Sequence, residues 1–136
     1  MTTHDRADVA GPIAAVRAEL LSSDDVDERL DLVFSLFRAS FRADRTHGRS
    51  GVFQFEIDTP AGVRYRCVSV ADGHCTASDV APAPNAVIAV DLADLVALSV
   101  GGLKGTDAFL GGRLKISGDV VFAMNWIEWF GARSRI

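Results

Sequence analysis

Histidine and cysteine, the residues that most often bind transition metals, are scarce in this sequence. It has three histidines and two cysteines among 136 residues. His4, His47 and His74 lie far apart and in different predicted elements, without the spacing of metal ligands. We therefore expect no metal site and no metal cofactor.

Long hydrophobic runs and an excess of basic residues are also missing. No apolar run approaches the roughly 20 residues needed to span a bilayer. The segment from Met1 to Asp8 lacks the basic and apolar regions of a secretory signal. These features predict a cytoplasmic protein without a transmembrane segment. A net charge of -4 argues against a nucleic-acid partner, and the preference for arginine over lysine suggests a bacterial coding bias.

The phosphate-binding and nucleophile motifs of common enzyme classes do not occur. No Gly-x-Gly-x-x-Gly follows a strand, there is no Gly-Lys-Ser/Thr loop, and no serine lies in a Gly-x-Ser-x-Gly elbow. We expect no covalent catalysis and no cofactor, and we predict no catalytic residue.

The two cysteines flank a predicted two-residue hairpin turn at Asp72-Gly73. This turn places Cys67 opposite Ser78 and Cys75 opposite Val70. The two thiols then lie on opposite faces of the sheet, which excludes a disulfide between them. Reduced thiols agree with a cytoplasmic location.

Apolar periodicity predicts an α+β domain in which one sheet is covered by helices. The predicted helices are Pro12 to Leu21, Asp24 to Arg42, Asp91 to Val100, Thr106 to Leu110 and Asp119 to Phe130. The predicted strands are Val52 to Asp58, Val63 to Val70, Gly73 to Asp79, Ala86 to Val90 and Arg113 to Ser117. A three-residue turn between the first two strands would place Glu56 opposite Arg64 and Phe55 opposite Tyr65.

The last predicted helix is apolar on almost every side. Only Asp119, Asn125 and Glu128 are polar in it, whereas an ordinary surface helix has a broad polar face. Asp119 is expected to cap its first turn. The helix must therefore contact apolar material on two sides: the sheet on one, and a ligand, a partner or a membrane on the other.

Two polar groupings allow alternative interpretations. Asn125 and Glu128 form a thin solvent-facing stripe, or they face inward, where burial would raise the pKa of the Glu128 carboxyl and make it a candidate acid or base. A basic cluster follows the second helix, and it is a solvated helix end or a site for phosphate or a lipid headgroup: Arg38, Arg42, Arg45, His47 and Arg49.

The C-terminal third resembles the sterol carrier protein type 2 family, also called nonspecific lipid-transfer proteins. The resemblance lies in Ala108-Phe109, Gly112-Arg113-Leu114-Lys115-Ile116, Gly118-Asp119 and Ala123-Met124, with Arg113 in place of the family's first lysine. It extends upstream through Phe53-Gln54-Phe55 and Ile88 to Leu95. It implies a single five-stranded mixed sheet covered by helices, with a hydrophobic tunnel for fatty acids, acyl-CoA esters, phospholipids or sterols.

By this resemblance, the tunnel lining, and hence the lipid-binding site, would consist of Phe34, Phe37, Phe53, Phe55, Leu95, Leu98, Phe109, Leu110, Ile116, Phe122, Trp126 and Trp129. The implied organisation is an N-terminal arm with a short helix over residues 1–23, a lipid-binding domain over 24–130 and a tail over 131–136. The sequence departs from the family's pattern in two respects: its acidic net charge and the two bulky tryptophans of the closing helix.

Three alternative functions are compatible with these sequence features. The first is non-catalytic binding or transport of a long apolar molecule: a fatty acid, acyl-CoA, sterol or polyketide-like compound. The second is a small cofactor-independent isomerase or cyclase in the same cavity, with protons placed by Tyr65, His74, Asn125 or Glu128. The third is a homodimeric interaction module that buries its apolar C-terminal helix.

Overall fold

The computed structural model of this chain describes residues 14–79 and 83–130. Residues 14–22 form helix α1. The elements that follow are α2 (Val26–Ala39), a 3-10 turn (Ala43–Arg45), β1 (Gly51–Thr59), β2 (Gly62–Ala71), β3 (His74–Ser78), β4 (Ala86–Asp91), α3 (Leu92–Ser99), α4 (Gly105–Leu110), β5 (Lys115–Gly118) and α5 (Val120–Phe130). The predicted start of the first helix at Pro12, and the tail over 131–136, lie outside the described residues.

The five strands form one mixed sheet in the order β3-β2-β1-β4-β5. Strand β1 pairs in parallel with β4, so that Phe55 lies opposite Ile88, and the other neighbouring pairs are antiparallel. Along β1 the residues facing the helices are buried, while the intervening Gln54 and Glu56 remain partly exposed. The predicted α+β class and five-stranded mixed sheet are confirmed.

The hairpin between β2 and β3 has the predicted register. Cys67 pairs with Ser78, and Val70 pairs with Cys75, so the two free thiols lie on opposite faces of the sheet. Asp72 and Gly73 have φ values of 53° and 77°. These left-handed values are typical of the two central residues of a tight hairpin turn, where glycine and aspartate are favoured.

The predicted register between β1 and β2 is wrong by one residue. Thr59 pairs directly with Gly62, so only two residues form the turn, and Glu56 lies opposite Tyr65 instead of Arg64. The Thr59 hydroxyl accepts a hydrogen bond from the Ala61 amide at 3.0 Å and donates one to the Gly62 carbonyl at 2.6 Å. These two bonds stabilise the shorter turn.

This shift moves the side chains of β2 to the other face of the sheet. Arg64 and Arg66 consequently face the helices, where they reach acidic residues of α2. Arg64 Nε lies 3.3 Å from Asp27 Oδ1, and Arg66 Nη2 lies 4.0 Å from Asp31 Oδ1. These ion pairs connect α2 to β2. Tyr65 lies on the opposite face of the sheet, which the described helices do not cover and which is called the open face below.

Helix α2 is shorter than the predicted Asp24 to Arg42. It begins after Asp25, whose carboxylate accepts a hydrogen bond from the Glu28 amide at 2.9 Å. It ends at Ala39 because the chain turns away, and the Arg42 amide donates to the Trp129 carbonyl at 2.8 Å. This bond joins the end of α2 to the end of α5.

Two other aspartates cap helices, and the cap at Asp119 agrees with the sequence interpretation. Asp91 accepts from the Asp94 amide at 2.9 Å, and Asp119 accepts from the Phe122 amide at 2.9 Å. The Asp119 amide also donates to the Asn85 carbonyl at 2.9 Å, which fixes the start of α5 beside β4. The direction of the closing helix is therefore set by the sheet.

Helix α5 packs its aromatic residues between the sheet and α2. Trp126 stacks on Phe130 with ring centroids 4.1 Å apart and meets the edges of Phe37 and Phe55 at 5.1 and 4.6 Å. Trp129 is fully buried. The opposite side of α5 is only partly covered within the described residues, and Val121 at its start is 80% exposed.

Candidate functional site

A cavity of about 320 Å³ lies between the sheet and the C-terminal helices. Its volume is at the lower end of the roughly 300–1,000 Å³ found for ligand pockets. Strands β4 and β5 form its floor, α3 and the following loop form one wall, and α4 and α5 form the other. The lining residues are Phe37, Phe55, Ile88, Leu95, Leu98, Gly101, Leu103, Lys104, Gly105, Thr106, Phe109, Leu114, Ile116, Ala123, Met124, Trp126 and Ile127.

The wall between α4 and α5 depends on a close approach at Gly105. A Cβ atom at this position would lie 2.8 Å from Ile127 Cγ1, which is shorter than a normal carbon contact. Glycine therefore allows the first turn of α4 to lie against α5. Helix α4 itself is short, and Ala108 is its only buried residue.

The cavity has a buried end and an exposed end. Phe37, Phe55 and Trp126 at the inner end are 4%, 2% and 9% exposed. At the other end the loop after α3 and the start of α4 are open to solvent, including Lys104 and Thr106. An apolar molecule could therefore enter beside α4 and reach the aromatic residues below α5.

Seven predicted site residues line this cavity. They come from α2, β1, α3, α4, β5 and α5, and they share a position on the helix-facing side of the sheet or on a helix side that faces it. They are Phe37, Phe55, Leu95, Leu98, Phe109, Ile116 and Trp126.

The other five predicted site residues lie outside the lining. Phe34, Phe53 and Trp129 are buried in the core, where Phe53 stacks on Phe122 with centroids 4.5 Å apart. Leu110 is 81% exposed because it is the last residue of α4 and points away from the sheet. Apolar spacing identifies helix-facing residues, but it does not separate those that fill the core from those that border a space.

Several lining residues were not singled out from the sequence. Ile88 pairs with Ile116 across β4 and β5, so the alternation of β4 could have identified it. Met124 and Ile127 are three residues apart on α5 and could have been assigned to one helix face. Leu103 and Lys104 lie in a loop and carried no such signal.

The residues proposed to place protons do not line the cavity. Tyr65 and His74 are exposed on the sheet, and Asn125 is half-buried. Glu128 faces outward with 57% of its side chain exposed, and its Oε2 lies 3.5 Å from Arg45 Nη1. The inward-facing alternative for Glu128 is therefore wrong, because this side of α5 contacts the turn after α2 instead of the sheet.

The basic cluster is engaged largely with its own chain. Arg42 Nη2 lies 3.1 Å from Asp44 Oδ2, and this guanidinium lowers the pKa of the Asp44 carboxyl. The Arg49 guanidinium lies over the Trp129 ring, 5.5 Å from its centroid. These contacts support the interpretation of a solvated helix end.

Neither thiol lies in the cavity, and burial raises the pKa of both Cys67 and Cys75. Buried thiols of this kind are poor nucleophiles and ligands. Within the described residues, no group of three or more histidine, cysteine or acidic side chains could hold a metal ion. In that same part of the chain, no helix is long and apolar enough to cross a bilayer.

Comparison with known proteins agrees with this architecture. The chain matches the SCP-2 sterol transfer family over residues 34–130, and it belongs to that family. The recognition made from the glycine-rich C-terminal motifs is thereby confirmed. No curated protein gives a significant match to the chain.

Solved structures share the fold. A crystal structure of sterol carrier protein 2 like 2 from Aedes aegypti has a TM-score of 0.63 at 24% identity, covering 76% of this chain and 98% of that one. A solution structure described as palmitated SCP2L2 from the same organism has a TM-score of 0.59 at 28% identity, covering 71% and 88%. The sec-alkylsulfatase Pisa1 from Pseudomonas sp. has a TM-score of 0.63 at 15% identity, and the match covers 76% of this chain but 16% of the enzyme.

Proposed function

We propose that this domain binds and carries a long apolar molecule in the cavity between the sheet and α3, α4 and α5. The observation that carries the proposal is a space of about 320 Å³ with mostly apolar walls that ends on buried aromatic rings. Such a cavity offers area burial but few directional contacts, which suits a carrier of hydrocarbon chains.

Hydrocarbon burial can supply a useful affinity without polar contacts. Each buried methylene contributes about 0.8 kcal/mol, so ten of them contribute about 8 kcal/mol. That value corresponds to a dissociation constant of about 1 µM before the entropic cost of association is subtracted. Most of a long chain must therefore enter the cavity for binding to be micromolar.

Among the ligand classes that the family resemblance implies, we propose a linear acyl chain first. The relative at 28% identity is described as palmitated. Acyl-CoA, sterols and polyketide-like molecules remain competitors for the same space, and direct competition against a fluorescent fatty acid distinguishes them.

A chain-length series tests the proposal. We expect affinity for carboxylates from octanoate to palmitate to rise by about fourfold per methylene, the equivalent of about 0.8 kcal/mol, until the cavity is filled. Absence of saturable binding for every member of the series would exclude a linear acyl chain as the ligand.

A matched pair of leucines provides the control. Leu98 is half-buried and lines the cavity, whereas Leu110 is 81% exposed and lies outside it. We expect Leu98→Trp to fill part of the space and weaken palmitate binding by at least about tenfold, and Leu110→Trp to leave it unchanged. Equal effects of both variants would place the ligand elsewhere.

The exposed start of α5 favours the interaction module as a second candidate. Val120 and Val121 are 44% and 80% exposed, and a dimer interface could cover them. Sedimentation of the purified protein distinguishes the two functions: a monomer that binds palmitate supports the carrier, and a stable dimer without ligand supports the interaction module.

A further inference from the structure

The polar side chains of the cavity lining are concentrated at one end. Among the lining residues only Lys104 and Thr106 have polar side chains, and both belong to the start of α4 and the loop before it. All other lining residues are apolar or glycine. The cavity is therefore polarised, with an apolar interior and one cation at its exposed end.

Lys104 has no partner within the described part of the chain. Its ammonium group makes no hydrogen bond or ion pair there, although Asp107 follows in the first turn of α4. Asp94 of α3 is paired with Arg113, whose Nη1 lies 3.7 Å from Asp94 Oδ1. Among residues 14–79 and 83–130, Lys104 is thus free to pair with the head of a bound molecule.

The exposure gradient fixes how a ligand with a polar head would lie. Its tail would reach Phe55 and Trp126, which are almost fully buried, because apolar burial is greatest there. Its head would remain at the open end, where solvent still reaches Lys104 and Thr106. A charged head left in contact with water avoids the cost of burying an unpaired charge.

We propose that Lys104 determines the head specificity of this site: its ammonium group pairs with an anionic head while the single tail lies in the apolar interior of the cavity. This inference rests on the proposed carrier function and adds the residue that recognises the head of the ligand. Carboxylate and phosphate monoester heads share the chemistry that an ammonium group recognises. Long-chain alcohols would bind through their tails alone.

The sequence provides a matched control, because Lys104 and Lys115 are its only lysines. Lys115 pairs with Ala89 on the open face of the sheet, whereas its neighbour Ile116 lines the cavity. Lys104→Met removes the charge and keeps an unbranched chain, Lys104→Arg keeps the charge, and Lys115→Met changes the net charge by the same amount away from the cavity.

The test measures displacement of a fluorescent fatty acid by palmitate, hexadecyl phosphate and hexadecanol. For Lys104→Met we expect about fivefold weaker binding of both anionic probes, the upper range for a solvent-exposed ion pair, and unchanged binding of hexadecanol. Lys104→Arg and Lys115→Met should retain the affinities of the unaltered protein. Added salt should reduce the difference between the anionic probes and hexadecanol.

The alternative results are distinguishable. If Lys104→Met weakens all three probes equally, or none of them, the anionic-head proposal is wrong while carrier function stands. If Lys104→Met and Lys115→Met have equal effects, general charge and not head pairing is responsible, which also overturns it. If no probe binds the unaltered protein, both the proposed carriage of linear acyl chains and this inference fail.

Discussion

The indole Nε1 of Trp129 donates a hydrogen bond to the backbone carbonyl of Arg45, 3.1 Å away. Trp126, one helical turn earlier, has its ring against Phe37 and Phe55 and lines the cavity. The sequence placed both tryptophans in the lipid site. The geometry instead gives them different surroundings, because Trp129 joins α5 to the turn after α2.

Trp129→Phe should destabilise the fold and leave ligand binding intact. It removes the bond to Arg45, leaves part of the space of a fully buried indole empty, and should lower the free energy of unfolding by about 2–3 kcal/mol. Denaturant unfolding measures this loss. Trp126 is then the only tryptophan, and its emission should change on palmitate addition. In Trp126→Phe, emission from Trp129 should not respond, and a response there would contradict the assignment.

Gly105→Ala should separate α4 from α5. The added methyl group would lie 2.8 Å from Ile127 Cγ1, so one of the two helices must shift. We expect a loss of about 1–3 kcal/mol in the free energy of unfolding, as for other overpacked sites, together with weaker palmitate binding. The double variant with Ile127→Ala should be less destabilised than the sum of the single variants. Additive losses would show that the two residues do not compete for space.

Glu128→Gln tests the absence of an acid-base role. The ion pair with Arg45 is 3.5 Å long and exposed on both sides, so its loss should change stability by less than about 1 kcal/mol. Palmitate affinity should not change. Loss of turnover of any apolar substrate in this variant, with binding retained, would favour the enzyme alternative instead.

The two thiols should differ in reactivity. Cys67 is fully buried and Cys75 is half-buried, so iodoacetamide should modify Cys75 first, and both slowly compared with the unfolded chain. Peptide mass spectrometry over time measures the order. Faster labelling of Cys67 would contradict its burial.

Alkaline pH should lower the free energy of unfolding because of the thiols of Cys67 and Cys75. Burial raises the pKa of both thiols, so the unfolded chain releases these protons at lower pH than the folded chain does. The contribution of the two thiols to stability is therefore fully present below the ordinary thiol pKa. It is lost, and the free energy of unfolding falls, as pH rises through the pKa values of the thiols in the folded chain. The double variant Cys67→Ala/Cys75→Ala should lose less stability over this range. An equal loss in the variant would assign the pH dependence to other groups.

The sequence predicted the fold better than the details of the site. Local signals were sufficient where one residue determines a geometry, as with the Asp119 cap and the Asp72-Gly73 turn. The turn after Thr59 was predicted wrongly because a side-chain hydroxyl stabilises the shorter loop. The strand register decides which face of the sheet a residue such as Arg66 occupies, so a register error of one residue assigns it to the wrong face.

The site was harder to predict because a cavity is a property of packing between elements. Phe53 and Phe55 have the same pattern in β1, yet Phe53 is covered by Phe122 while Phe55 borders the open space. Lys104 lies in a loop without periodicity and acquires its position only when the start of α4 lies against α5. Neither distinction is encoded in the spacing of a single element.

Helix α4 has six residues and a single buried side chain, Ala108. An element with so little packing opens locally at low free-energy cost compared with the sheet and α5. Because α4 forms one side of the exposed end of the cavity, we expect its local opening to widen this end and to speed the entry and release of a bound molecule. On the proposed carrier function, we therefore expect the stability of this short helix to set the residence time of the bound molecule, and the depth of the cavity to set its equilibrium affinity.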